Sequence, residues 1–108
     1  MQLDFDAACA WLDDHLDRAV FASTQGAHED AGNSRLSVQG TLRRAKGEIT
    51  LIDPRPGRIE AFTVGPATLV LLEGDFTSAL LGGFEGGATL LQAAFRDLLV
   101  VVGTLPEG

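Results

Sequence analysis

Tyrosine is absent from the 108 residues, and tryptophan and cysteine occur once each, as Trp11 and Cys9. A lone cysteine cannot close an intrachain disulfide, so nothing points to an oxidising compartment. The six phenylalanines fall mostly at positions expected in a core, whereas an oligonucleotide-binding barrel displays aromatics for base stacking. Lysine is nearly missing too, with Lys46 alone against seven arginines in an Ala-, Gly- and Leu-rich chain. No apolar run approaches the roughly 18 to 20 residues of a membrane-crossing helix, and the candidate stretch Leu98 to Val102 is far too short. The first residues carry Asp4 and Asp6 and no basic flank, unlike a secretory signal. A cytoplasmic protein is expected.

Positive charge is also scarce: fifteen acids against eight bases leave a net charge of −7 and a pI near 4.5. Such a chain repels phosphate backbones and anionic lipid, so neither nucleic acid nor a membrane surface is the expected partner. The length suits one domain spanning residues 1–108, large enough to bury a core without staples.

The recurrent motifs of catalysis and ligation are missing as well. There is no Gly-x-Ser-x-Gly elbow, His-Glu-x-x-His pair or Cys-x-x-Cys set. The glycine pairs at 82–83 and 86–87 are followed by no lysine, so they make no phosphate loop. His28-Glu29-Asp30 are adjacent on a loop-like stretch, where consecutive residues seldom converge on one ion. Cys9 lies on an apolar stripe, where a thiolate is costly. Asp13 and Asp14 diverge on a helix, and Glu73 and Asp75 flank a glycine, so neither pair has the opposed geometry of acid–base hydrolysis. No catalytic residue, cofactor or metal is assigned, and the chain reads as a binding protein sooner than an enzyme.

What is present is mostly β patterning. From Asp4 to about Arg18, Phe5, Ala8, Cys9, Leu12, Leu16 and Ala19 recur at helical spacing, with Asp6, Asp13, Asp14 and Asp17 opposite and Asp4 placed to cap. Arg35 to Arg44 alternates small or apolar with polar residues, as a half-buried strand does. Glu48 to Asp53 is expected to return as its hairpin partner before Pro54-Arg55-Pro56-Gly57 interrupts. Arg58 to Val64 and Ala67 to Glu73 follow as strands around Gly65-Pro66, the second apolar enough to suggest cover on both faces. Phe76, Leu80, Leu81 and Phe84 suit a short helix stopped by Gly82-Gly83, residues 88–95 fit strand or helix with strand preferred, and Asp97 to Leu105 reads as a central strand. The expected fold is α+β: an N-terminal helix packed on a mainly antiparallel, strongly curled sheet or small β-barrel of about five to seven strands.

Two clusters are candidate binding residues. Trp11, His15 and Arg18 fall on one shoulder of the helix, and Trp and Arg are enriched in interaction hot spots. The favoured reading there is nonetheless that Trp11 packs over the sheet edge while His15 and Arg18 meet water. Arg55 and Arg58 would stand at the mouth of a barrel, able to clamp an anion. The favoured function is a small acidic protein–protein interaction or assembly module, binding a protein partner or forming a homo-oligomer through its acidic helix face or by strand-edge pairing. The alternative is a small-ligand-binding β-barrel, or an enzyme, using the barrel interior.

Overall fold

The structure is a computed structural model that describes residues 1–26, 35–46, 57–83, 87–96 and 98–105. The elements run β1 (Gln2–Leu3), α1 (Phe5–Asp14), β2 (Ala19–Gly26), β3 (Arg35–Arg44), β4 (Ile59–Val64), β5 (Ala67–Leu72), a 3-10 turn (Glu73–Asp75), β6 (Phe76–Gly83), β7 (Thr89–Phe95) and β8 (Leu98–Thr104). The eight strands form one antiparallel sheet in the order β1-β6-β7-β8-β2-β3-β4-β5, with α1 packed on one face. The expected hairpin partner at 48–53, the loop 54–56 and His28-Glu29-Asp30 lie outside the described residues.

The helix starts where its cap was expected: Asp4 Oδ1 accepts from the Ala7 amide at 2.7 Å, and Asp6 adds charge at the positive end of the helix dipole. It stops at Asp14, a turn earlier than the expected Arg18, because the sheet takes over its backbone. Asp17 adopts a left-handed φ of 66°, its amide donates to the Leu42 carbonyl, and Leu42 donates back to the Arg18 carbonyl. Phe5, Ala8, Cys9, Trp11 and Leu12 then face the sheet and share one core with Val20, Ala22, Leu42, Phe62, Leu91, Val100 and Val102.

Three expectations are corrected. The sheet has eight strands, not five to seven, and it is neither closed into a barrel nor strongly curled. Closure would require β5 to pair with β1, which is two residues long and runs into α1 through Asp4. Ladders of up to seven pairs continue in register, with one irregularity between Phe76 and Ser78, and strong curvature needs more such bulges. Residues 76–83 form β6 instead of a short helix; Ala79 and Leu81 pair inward with Ala93 and Leu91, so the operative period is two. Strand β5 is an edge strand covered on one face: Ala67, Leu69 and Leu71 are buried while Thr68 is exposed. Residues 89–95 are the preferred strand, and β8 lies in the sheet interior between β7 and β2.

One close approach holds the β4–β5 turn against β3. Strand β3 pairs with β2 through Thr41 and with β4 from Leu42 onward, so the β4–β5 turn folds back beside it. A Cβ on Gly40 would stand 2.5 Å from the Gly65 amide nitrogen and 2.8 Å from its Cα, so only glycine leaves room there.

Candidate functional site

The residues singled out in the sequence are placed as follows. Trp11 is buried at 9% exposure and stacks on the half-buried His15 ring, with centroids 4.1 Å apart, and His15 Nδ1 donates to the Trp11 carbonyl at 2.7 Å. Arg18 does not join them; it lies beyond the helix, exposed, on the turn into β2. Arg58 hydrogen-bonds Asp6, approaches Glu73 at 3.7 Å and lies over the Phe5 ring, 5.2 Å from its centroid. Arg55 is outside the described residues. The structure therefore brings Trp11 and His15 together and ties Arg58 to the helix.

Arg44 has a matching role at the other end of α1. Its Nε and one terminal nitrogen each meet an Asp13 carboxylate oxygen at 2.8 Å, the other meets Glu60 at 2.7 Å, and the guanidinium lies 4.9 Å from the Phe62 centroid. A two-pronged contact of this kind holds geometry as well as charge. The two arginines pin both ends of an acidic helix to the sheet. The acids nearest Arg44 hold its proton more firmly than usual, chiefly through the hydrogen bonds it donates to Asp13 and then to Glu60. Beneath the helix, burial, followed by the Glu60 charge, pushes the Cys9 thiol up to about 11.

The face of the sheet away from α1 was not anticipated. Strand pairing lays it out as three rows across β6, β7, β8, β2 and β3. The middle row is Leu80, Gln92, Val101, Ser23 and Ser37. On one side run Gly82, Leu90, Gly103, Phe21 and Gln39; on the other run Ser78, Ala94, Leu99 and Gln25, with Arg35 at the fifteenth position. The other fourteen positions carry no charged residue. At the chain's 21% charged composition about three would be expected, and more on a surface.

Its open positions mix leucine with uncharged polar residues: Gln92, Ser37 and Gln39 are exposed alongside Leu80 and Leu99. Leu80 is 52% and Leu99 37% exposed, and Val101, Leu90 and Phe21 are half-buried. Phe21 and Leu90 cover Gly103: a Cβ there would lie 2.2 Å from Phe21 Cε1 and 3.0 Å from Leu90 Cδ1. Ser37 donates to Ser23 across the middle row at 3.4 Å. A depression of about 270 Å³ lined by Phe21, Ser37, Val38 and Gln39 lies at the β3 end, just under the size range of ordinary small-ligand pockets.

The signal that could have revealed this face is a failure of alternation. A strand with one wet face alternates apolar and polar residues, whereas β8 reads Leu98-Leu99-Val100-Val101-Val102, and Leu80-Leu81 and Leu90-Leu91 repeat the fault on β6 and β7. Among the described residues, no group of three or more His, Cys, Asp or Glu side chains could hold a metal ion, and no helix is long and apolar enough to cross a membrane. Compared with known proteins, the chain matches no family model, no curated protein and no solved structure.

Proposed function

We propose that this chain is a non-catalytic protein–protein interaction or assembly module. The observation that carries the reading is the outer face of β6-β7-β8-β2-β3, uncharged at fourteen of its fifteen positions, whose central strand has the sequence of a strand covered on both sides. Water is a poor neighbour for Leu80, Leu99 and Val101, and removing such side chains from it is worth about 25 cal/mol per Å². The six uncharged residues of β5, at the sheet edge, supply a second surface of the same kind, since an edge strand carries unpaired backbone donors and acceptors.

The alternative, a small-ligand binder, fits less well. The described core holds buried apolar side chains and no buried polar or charged residue, so it presents no group to orient a ligand. Arg58, the expected anion clamp, is engaged by Asp6 and Glu73.

Native mass spectrometry of the protein isolated from its own cells tests the reading. The expected spectrum shows the 11.4 kDa chain in an assembly, with itself or another protein, free of small-molecule mass. A lone chain carrying a stoichiometric small ligand would overturn the proposal in favour of the alternative.

A further inference from the structure

We infer that the partner on the outer sheet face is a second copy of this chain, docked face to face about a two-fold axis near Val101. This rests on the assembly reading above and adds the identity of the partner and the location of the contact.

Charge is the first argument. Each copy carries −7, so two copies repel wherever their acids approach. Asp6, Asp13 and Asp14 sit on α1, which packs on the opposite face. The thickness of the sheet and its packing layer, about 10 Å, separates them from the outer face, more than the roughly 8 Å over which physiological salt screens charge. The outer face is therefore where two such acidic molecules can meet with little repulsion. A strongly basic partner would have no acid there to recognise.

Geometry is the second. Val101 lies in the middle row on β8, the middle strand of the five, so a two-fold axis there sets Val101 against its own copy and lays the Leu80 and Leu99 flanks over the opposing sheet. Such faces pack about 10 Å apart with their strands some 30° from parallel. Five strands at about 4.8 Å spacing and rows spanning about 20 Å cover roughly 500 Å² per copy, or about 1,000 Å² in total. That is at the lower limit for a specific interface, so the dimer is expected to be weak and to depend on concentration.

Sedimentation velocity across a concentration series up to about 500 µM, high enough to populate a weak dimer, tests the inference. The wild type is expected to pass from one to two copies. Val101→Glu and Val101→Lys should each weaken the dimer by about a hundredfold or more, because like charges then face each other across the axis. An equimolar mixture of the two variants should restore it. Leu80→Glu, at a position already half open to water, should also weaken the dimer and does not depend on the central strand tolerating a charge. A wild-type dimer that all three variants retain would overturn the inference and leave the assembly reading standing, with another surface such as β5 as the contact. A wild type that stays single throughout would overturn self-association; only a native spectrum that also lacks any protein partner would overturn the assembly reading.

Discussion

Replacing Gly40 by alanine should destabilise the fold strongly, and the reason lies in backbone geometry alone. The added methyl would meet the Gly65 nitrogen at 2.5 Å and Cα at 2.8 Å, where ordinary contacts begin near 3.4 Å. Both atoms are backbone in the turn joining β4 and β5, so no side chain can rotate away; β3 and the hairpin must part. Overpacking of this kind costs about 1–3 kcal/mol, and a clash between two main chains belongs at the upper end. The loss of unfolded-state freedom on replacing glycine offsets about 0.5–1 kcal/mol, leaving a net loss of about 2 kcal/mol. With a urea dependence of about 1–2 kcal/mol/M for a chain of this size, the unfolding midpoint should fall by about 1–2 M. Gly82→Ala is the control: nothing lies within 4 Å of a Cβ there, and the same entropic gain should leave the midpoint unchanged or raised. A Gly40→Ala midpoint within about 0.2 M of the wild type would refute the packing of the hairpin against β3.

Other consequences follow from the helix and its anchors. Arg44→Gln should cost about 1–2 kcal/mol, and a double-mutant cycle with Asp13→Asn should show coupling that shrinks in molar salt, because the contact is two-pronged but half-exposed; additive effects would mean the pair holds nothing. Asp4→Ala should lower stability by about 1 kcal/mol in chemical denaturation through loss of the cap to Ala7. Cys9, with its thiol pushed from 9.0 to about 11, should resist thiol reagents in the folded protein at pH 8 and react at once in denaturant. Because folding raises this pKa, the stability it contributes is complete below pH 9 and disappears as the pH rises through 11; a Cys9→Ala variant should lack that component of the alkaline loss.

Elements with a single wet face were readable before the structure. The alternation through Val38, Gly40 and Leu42, the Gly65-Pro66 reversal and the Asp4 cap each correspond to an observed feature. In β6, Leu80 and Leu81 are adjacent apolar residues, one facing out and one facing in; the outward leucine erases the period of two and leaves a spacing that also suits a helix. The openness of the sheet was not legible either, because it depends on β1 stopping after two residues and on β3 passing from β2 to β4 at Leu42, neither of which has a local signature. At the candidate sites, Trp11 and His15 meet as their spacing of four predicts, but Arg18 does not join them, because the helix ends at Asp14 and the chain turns through the left-handed Asp17. Arg58 was noticed, but its partner Asp6 is fifty-two residues away in the chain, beyond the reach of any sequence pattern.

The central claim is that the outer sheet face is the surface through which this protein meets a second copy of itself. Methyl NMR across a dilution series tests it directly, because the relevant groups are leucines and valines with distinct surroundings. The account predicts concentration-dependent shifts at Leu80, Leu99 and Val101, with Leu12, Leu42 and Val102 in the core unchanged. Shifts confined to Val70 and Leu72 on the β5 edge, or none at all, would contradict it.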